Sequence, residues 1–338
     1  MTNFYIGKFP QSRLRRNRKY PWIRDLVAQN QVKASDLILP LFVCEGKNQT
    51  QKIDNLPDIF RYSIDNLIKK IDEAKSLGIK AIMLFPVIEQ NLKTNCASEA
   101  WNKNNIMSST IKAIKDSIDG IGIIADVALD PYTLHGHDGL IDDSGLVIND
   151  STIEALCKQA LVLCEAGVDI IAPSDMMDGR IGVIRNALDA QGFSDIGICS
   201  YGAKYASNFY GPFRDAVGSV NNLKNSDKKN YQMDFRNSNE AMREIAMDVE
   251  EGADLIIVKP ALSYLDVIYR ANENFQLPIL TYQVSGEYAM LKLAHQHKIL
   301  DFKKACYENL IAMKRAGCSA IITYGAIEMA KFISEENF

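Results

Sequence analysis

The sequence predicts an α/β fold, a (β/α)8 TIM barrel preceded by an extended N-terminal arm. The main observation is a unit that occurs four times: the end of an amphipathic helix, a glycine, two or three residues, and a short apolar strand. A glycine just past a helix can adopt the left-handed conformation that closes the helix. Strands that are apolar on both faces belong in a parallel sheet covered by helices. The four copies are EAKSLGIKAIMLFP (73–86), LCEAGVDIIAPSD (163–175), VEEGADLIIVKP (249–260) and MKRAGCSAIITY (313–324).

Four further apolar segments complete a set of eight strands. They are LILPLFV (37–43), GIGIIADVALD (120–130), IGICSYG (196–202) and PILTYQV (278–284). The helices are predicted near 65–77, 104–118, 151–166, 180–190, 239–251, 262–274, 286–297 and 301–316. Eight alternating units in 338 residues favour a closed barrel. A doubly wound open sheet is the alternative, and the lack of a GxGxxG motif after the first strand counts against it.

The chain is predicted to contain one catalytic barrel at 36–338 and an arm at 1–35. The segment 202–237 follows strand 5, is long and lacks clear periodicity, so we expect it to form a lid. The first 24 residues include seven basic residues and no acidic one. A transit peptide or a nucleic-acid-binding arm would have this composition. The run from Pro21 to Val27 favours instead an arm that packs on protein, such as another subunit.

Composition excludes several classes of function. A net charge of −4 gives no reason to expect a nucleic acid as a partner. No apolar run approaches the roughly 18 residues that span a bilayer, so no membrane association is expected. The seven cysteines are scattered and form no CxxC pair, which argues against a disulfide framework or a thiolate zinc site. We therefore expect a cytoplasmic protein.

Polar side chains collect where the predicted strands end, which is where barrel enzymes carry their chemistry. Two lysines, Lys204 and Lys259, end or follow neighbouring strands. The other polar residues at these ends include Asp126, Asp130, Ser174, Asp175, Ser200, Tyr201, Gln283, Ser285, Thr323 and Tyr324. We therefore expect the functional site at this mouth of the barrel.

Two neighbouring lysines favour Schiff-base chemistry. An amine is a nucleophile only when it is neutral, and lysine ordinarily titrates near about 10.4. Burial and a second cation each lower that pKa. A neutral amine at the mouth would then form a Schiff base with a ketone or an aldehyde. The alternative is a lysine that binds a phosphate or a carboxylate.

Two further groups give weaker signals. His135 and His137 have a spacing that suits a metal, but the glycines beside them equally suit a loop at the barrel mouth. Arg214 and the pair Lys228 and Lys229 lie in the predicted lid and would recognise an acid. As ordinary lid charges they would simply be solvated.

Four long motifs stand at or near the predicted strand ends. They are APSDMMDGR (172–180), SYGAKYASNFYGPFRDA (200–216), VKPALSYLD (258–266) and YQVSGEYAM (282–290). These motifs resemble the porphobilinogen synthase family, also called 5-aminolevulinate dehydratase, and the likeness extends from the arm segment RLRRNRKYPWIRDLV (13–27) to Tyr324. The resemblance implies a lyase of tetrapyrrole (heme) biosynthesis that condenses two 5-aminolevulinate molecules into porphobilinogen, with loss of two waters.

The resemblance also implies roles for the residues at the mouth. Lys259 and Lys204 would each form a Schiff base, and Lys259 would hold the substrate that becomes the propionate side of the product. Ser285 and Tyr324 would bind the carboxylate of that first substrate. The carboxylate of the second substrate would be bound by lid residues, which match Arg214, Lys228 and Gln232.

The chain departs from the family in DVALDPYTLHGHDG (126–139). Many members have three cysteines here that bind a catalytic zinc, whereas this chain has Ala128, Asp130 and Asp138. Thiolates select soft metals, but carboxylates suit Mg²⁺ or no transition metal. We therefore expect a zinc-independent member without catalytic zinc, in which Asp126 and Asp130 are candidate active-site acids.

Two properties outside the active site follow from the resemblance. Glu244 in AMREIAMD (241–248) matches a family glutamate that binds an allosteric Mg²⁺, and the alternative is a solvated helix acid. The family typically forms a homo-octamer of dimers with embracing arms, so the same assembly is expected here. Two other functions are considered: a Schiff-base aldolase, which needs only one lysine, and a non-catalytic binding protein with a basic arm.

Overall fold

A computed structural model of the chain describes residues 7–218 and 227–336. The chain divides into two compact units, Met1–Gln31 and Val32–Phe338. The larger unit is a closed barrel of eight parallel strands with helices outside, which confirms the predicted fold class. The segment 219–226 of the predicted lid lies outside the described residues.

The barrel is formed by β1 and β4 to β10, in chain order around the ring. It closes where β10 pairs with β1, with Leu37 opposite Ile321 and Ile38 opposite Ile322. Strands β2 and β3 form a short antiparallel hairpin after β1. The strands of the described residues are β1 (Leu37–Val43), β2 (Thr50–Lys52), β3 (Phe60–Tyr62), β4 (Ala81–Pro86), β5 (Gly122–Val127), β6 (Ile170–Pro173), β7 (Gly197–Lys204), β8 (Leu255–Lys259), β9 (Ile279–Gln283) and β10 (Ala320–Thr323).

Each predicted helix has a counterpart in the structure, and besides a short helix in the arm two helices of the described residues were not predicted. One of these, α6, is a short helix in the predicted lid. The other, α11, follows β10 and packs against β1 and α2, so it completes the outer ring. The helices are α1 (Pro21–Leu26), α2 (Ile64–Ser76), α3 (Ile106–Ser117), α4 (Asn149–Glu165), α5 (Arg180–Ala190), α6 (Gly211–Ala216), α7 (Ser238–Glu250), α8 (Leu265–Asn274), α9 (Ser285–Gln296), α10 (Phe302–Arg315) and α11 (Ala326–Glu336).

The core lies on both faces of the barrel wall. Every residue of β1 is buried, because one face packs inside the barrel and the other packs under helices. The glycines of the repeating unit close their helices as expected. Gly78, Gly167, Gly252 and Gly317 all have positive φ angles, between 89° and 106°.

The smaller unit exposes its apolar side chains. Its described elements are a 3-10 helix at Leu14–Arg18 and helix α1, and neither contains a buried residue. Leu14 is 80% exposed, Trp22 is 64% exposed and Leu26 is 72% exposed. Within residues 7–218 and 227–336, every helix is too short or too polar to span a bilayer.

Candidate active site

The two lysines lie side by side at the carboxyl ends of neighbouring strands. Lys204 on β7 is the register partner of Lys259 on β8. Register partners in a parallel pair point to the same face of the sheet. Both side chains therefore enter the same mouth of the barrel, where Lys204 is 6% exposed and Lys259 is 5% exposed.

A β-bulge in β7 produces this alignment. Ser200 pairs with Ile256, but Ala203 pairs with Val258, so β7 contains one extra residue between these pairs. Without the bulge Lys259 would be opposite Ala203, and Lys204 would point to the other face of the sheet. The bulge includes Gly202, where a Cβ atom would lie 2.9 Å from Ile245 Cγ1. The register that brings the lysines together thus depends on a close approach that glycine permits.

Aromatic rings surround the Lys259 amine. Its Nζ lies 4.6 Å from the ring centroid of Tyr282 and 4.9 Å from that of Phe213. The rings of Tyr210 and Tyr201 follow at 5.1 Å and 5.3 Å. Among the described residues, this Nζ has no hydrogen-bond or ion-pair partner. Burial, and then the charge of Lys204, lower the pKa of Lys259 to about 7, so a large fraction of the amine is neutral near physiological pH.

The Lys204 amine is held by hydrogen bonds instead. Its Nζ donates to Asp138 Oδ2 at 2.8 Å and to the carbonyl oxygen of Ser174. The Asp138 side chain is 1% exposed, so this is a buried ion pair. The structure therefore places a partnered ammonium group beside an unpartnered amine.

The Asp138 carboxylate also accepts hydrogen bonds from residues of the lid. Lys228 Nζ donates to Asp138 Oδ1 and approaches Asp130 Oδ2 at 3.4 Å, and Gln232 Nε2 lies 3.4 Å from Asp138 Oδ2. Burial would raise the pKa of Asp138, but the charges of Lys204 and Lys228 outweigh it and the pKa is lowered. Burial would lower the pKa of Lys228, but the two carboxylates raise it. Asp138 and Lys228 are thus both charged.

Asp126 has a different environment from Asp138. Its Oδ1 is buried and has no hydrogen-bond partner in the described residues. Burial raises the pKa of Asp126 to about 7, against the opposing charge of Lys204 and with a further contribution from Asp130. A carboxyl group of that pKa can both give and take a proton near neutral pH.

One cavity brings seven of the predicted site residues together. Lys204, Lys259, Arg214, Lys228, Gln232, Asp126 and Asp130 all line it. The same cavity is lined by Phe85, Ser174, Tyr210 and Phe213. The two lysines and the three lid residues that the resemblance assigns to the second substrate therefore lie in one place.

Ser285 and Tyr324 are not in the lining of this cavity. Ser285 Oγ accepts from the backbone N–H of Phe213 at 3.0 Å, so it contacts the base of the lid. The hydroxyl of Tyr324 lies 3.0 Å from that of Tyr282, whose ring faces Lys259. Ser285 thus contacts Phe213 and Tyr324 contacts Tyr282, two of the residues whose rings surround Lys259.

Glu244 lies at a second cavity of about 390 Å³, which is also lined by Asp178, Glu240, Asn149 and Asn230. Burial raises the pKa of Glu244, and the charge of Arg180 opposes this rise. Mg²⁺ in proteins often binds to one or two carboxylates and keeps several waters. The carboxylates of this cavity fit a hydrated Mg²⁺ of that kind.

The segment 126–139 does not fit a zinc ion. Ala128 has no donor atom, and Asp130 and Asp138 are engaged with Lys228. In residues 7–218 and 227–336, no group of three His, Cys, Asp or Glu side chains is arranged to hold a metal. His137 contacts the hydroxyl of Tyr231 at 3.3 Å. Asp130 and Asp138 thus form ion pairs with lysine side chains.

Sequence reasoning missed the aromatic rings and part of the role of Asp138. Tyr201 was noted only as a polar strand end, and Tyr210 and Phe213 were read only as part of the lid. A signal was present, since the segment YGAKYASNFYGPF (201–213) contains five aromatic residues. Asp138 was considered only as a replaced cysteine, because its distance from Lys204 and Lys228 is not visible in the sequence.

Comparisons with known proteins show the family to which the chain is similar. The family model described as "Delta-aminolevulinic acid dehydratase" matches residues 11–332. A protein of that name from Bradyrhizobium diazoefficiens is 48% identical over 94% of this chain and 90% of its own length. The one from Chlamydia pneumoniae is 49% identical over 96% of both chains.

A solved structure is similar over the same range. The crystal structure of delta-aminolevulinic acid dehydratase (porphobilinogen synthase) from Toxoplasma gondii, in complex with the reaction product porphobilinogen, has a TM-score of 0.94 to this chain. The two are 47% identical, over 96% of this chain and 92% of that one. With a family model over 11–332 and relatives at this identity, the chain belongs to the delta-aminolevulinic acid dehydratase family.

Proposed function

We propose that the barrel mouth condenses two 5-aminolevulinate molecules into porphobilinogen through Schiff bases at Lys259 and Lys204. As a member of its family the chain is a lyase of porphyrin and heme biosynthesis. The observation that carries the residue roles is the register pairing of Lys204 with Lys259 in one cavity. In each Schiff base the amine nitrogen forms a C=N bond to the substrate ketone carbon, and the ketone oxygen leaves as water.

The different surroundings of the lysines suggest an order of events. Lys259 is the amine that reacts without help, because its pKa of about 7 leaves it partly neutral. Lys204 must first lose a proton and its bond to Asp138. Asp126 interacts electrostatically with both lysines, and its pKa of about 7 suits it to take and return that proton.

Cationic and hydrogen-bonding groups on the lid bind the second substrate's carboxylate in this proposal. Arg214 and Lys228 supply the charge, and Gln232 supplies an amide. Asp130 and Asp138 hold the Lys228 ammonium in the cavity before substrate arrives. Ser285 and Tyr324 serve the first substrate, on the side of the rings around Lys259.

Trapping with borohydride tests the lysine roles. The protein is incubated with 5-aminolevulinate, reduced, digested, and the adduct is located by peptide mass. We expect labelling at Lys259 and, at higher substrate concentration, at Lys204. No adduct at either lysine, together with no porphobilinogen formed, would contradict the proposal. A single adduct and an aldol product would favour a Schiff-base aldolase.

The lid assignment has its own test. Arg214→Ala should raise the apparent KM by about 10- to 100-fold, because a charge-assisted hydrogen bond to the substrate is lost. Arg236→Ala is the matched control, since Arg236 is an exposed arginine that pairs with Asp234. An unchanged KM for Arg214→Ala in a folded barrel would exclude this role.

We also propose that Glu244 is the ligand of an activating Mg²⁺. Asp178 and Glu240 face the same cavity and would add negative potential around the ion. When bound, the ion would offset carboxylate repulsion outside the active site and take no part in the reaction. Activity of the unsubstituted protein should rise with Mg²⁺, whereas Glu244→Gln should lose that response. Equal activation of both proteins would contradict the assignment.

The assembly we propose is a homo-oligomer, expected to be an octamer, in the cytoplasm. The exposed Leu14, Trp22 and Leu26 in the smaller unit support it, because apolar side chains on this scale suit a subunit contact. Light scattering of the full chain and of Trp22→Ser would test it. The substitution should reduce the mass, and an unchanged mass would exclude Trp22 from the contact.

A further inference from the structure

We propose that Glu287 is a positioning residue for Lys259, because its carboxylate fastens the turn that follows Lys259 to the start of helix α9. The inference rests on the proposed function, since it concerns the amine that is to form the Schiff base. Glu287 is on the helix rather than in the cavity, so it acts through the backbone and not on substrate.

Each oxygen of the Glu287 carboxylate holds a different segment. Oε1 accepts from the backbone N–H of Leu262 at 2.8 Å, and Oε2 accepts from that of Val284 at 2.8 Å. Leu262 begins the 3-10 turn Leu262–Tyr264, three residues after Lys259. Val284 caps the start of α9. The carboxylate therefore joins the end of β8 to the β9–α9 junction.

The backbone of Lys259 is held on its other side by β7 and the lid. Its carbonyl oxygen accepts from the N–H of Tyr205 at 3.1 Å and from the hydroxyl of Tyr210 at 3.2 Å. The amine itself has no hydrogen-bond partner in the described residues. The position of the amine among the aromatic rings therefore depends on the hydrogen bonds that fix the backbone around Lys259. Glu287 provides the one on the C-terminal side, through the backbone N–H of Leu262.

The residues just before Glu287 hold the lid. Ser285 Oγ accepts from the N–H of Phe213, whose ring lies 4.9 Å from Lys259 Nζ. At Gly286 a Cβ atom would lie 2.6 Å from the carbonyl oxygen of Phe209, so glycine allows the lid base to approach. Three consecutive residues at the start of α9 thus place both the amine and one ring that covers it.

The chemistry of Glu287 fits positioning better than ordinary stabilisation. The residue is 1% exposed, and among the described residues it pairs with no basic side chain. Burial raises the pKa of Glu287 to about 7, against the backbone N–H groups that lower it. A buried carboxylate without a cation is costly. Only a carboxylate, however, offers two acceptor oxygens, because glutamine would turn an N–H₂ donor toward one of the two backbone N–H groups.

The test compares Glu287→Gln with Asp254→Asn. Asp254 lies at the opposite end of the same strand, just before β8, and accepts from the N–H of Ile198 at 2.8 Å, so it is a backbone-holding carboxylate far from the mouth. For Glu287→Gln we expect kcat and the rate of borohydride trapping at Lys259 to fall by about 10- to 100-fold, with KM nearly unchanged. Asp254→Asn should leave both rates within about twofold.

Each outcome decides the inference. Trapping at Lys259 that proceeds at the unsubstituted rate in folded Glu287→Gln overturns it, and so does an equal loss in Asp254→Asn. If the unsubstituted protein traps nothing at Lys259, the proposed function fails instead. If Glu287→Gln does not fold, amide exchange of the unsubstituted protein is measured. Slow exchange of the Leu262 amide supports its hydrogen bond to Glu287, and exchange as fast as in an exposed turn overturns the inference.

Discussion

Lys204 and Lys259 are neighbours in the sheet, yet their surroundings differ sharply. Lys204 donates to Asp138 and to the Ser174 carbonyl oxygen, as a buried ammonium group requires. Lys259 is surrounded by the rings of Tyr201, Tyr210, Phe213 and Tyr282. Rings attract a cation, but they replace its hydration only in part. The first environment gives the amine an anionic partner, whereas the second lowers the pKa of its amine to about 7.

The difference shows how one cavity can hold two reactive amines in different states. A charged Lys204 lowers the pKa of Lys259, and Asp138 forms a buried ion pair with Lys204. The charge of Lys204 thus helps to set the protonation state of Lys259. Substituting one lysine or one neighbouring side chain at a time separates the effects of the two environments.

The largest effect is expected from Lys259→Met. Without the amine, porphobilinogen formation should fall by roughly 10³-fold or more. The fold should become more stable by about 1 to 3 kcal/mol, because a buried amine without a hydrogen-bond partner is replaced by an apolar side chain. Activity assays and urea unfolding measure the two quantities. A loss of both activity and stability would show that the rings stabilise the cation more than we infer.

Asp138→Asn should act in the opposite direction on stability. Lys204 and Lys228 would lose the carboxylate that both of them contact, so we expect a loss of about 3 to 5 kcal/mol in the free energy of unfolding. Asp130→Asn is the control, since the ion pair that Asp130 forms among the described residues is the 3.4 Å contact with Lys228, so its effect should be smaller. Equal losses would mean that Asp138 is not the central anion.

The pH dependence of trapping distinguishes the two amines. Only the neutral amine reacts, so labelling at Lys259 should rise as the pH rises through about 7. In Lys204→Met the neighbouring positive charge is absent, the pKa of Lys259 should increase, and the midpoint should move to higher pH. If the pH midpoint of Lys259 labelling does not change in this variant, burial alone lowers the pKa of Lys259.

The smallest effect is expected from a zinc-selective chelator. The segment 126–139 places Asp138 between two lysines and offers Ala128 where a ligand would be needed. Activity should therefore be unchanged by the chelator at a fixed Mg²⁺ concentration. Loss of activity that zinc alone restores would show that our interpretation of Ala128, Asp130 and Asp138 is wrong.

Local sequence patterns were sufficient to predict the barrel fold. The glycine that ends a helix and the apolar strand that follows it recur four times along the chain, and both depend only on neighbouring residues. Helix α11 was not predicted, because the two helices predicted between β9 and β10 had already brought the total to the eight that a (β/α)8 barrel needs. A pattern can identify a helix, but it does not say which strand connection the helix belongs to.

The mouth of the barrel was predictable because parallel strands place their carboxyl ends together. The sequence by itself therefore determined the fold class, the mouth of the barrel where the polar side chains collect, and the two lysines that lie there. The pairing of Lys228 with Asp138 and the hold of Glu287 on Leu262 join residues 90 and 25 positions apart. Such contacts depend on how the chain folds back on itself, so no local pattern reports them.

Only the tertiary structure decided that the two lysines face each other. The order of residues in β7 and β8 is compatible with a register in which Lys204 points away from Lys259. The bulge at Tyr201 and Gly202 adds one residue and turns Lys204 to the same face. Side chains alternate along a strand, so a shift of one residue reverses every following side chain. That shift is set by packing between strands and helix α7, which a single strand's sequence does not contain.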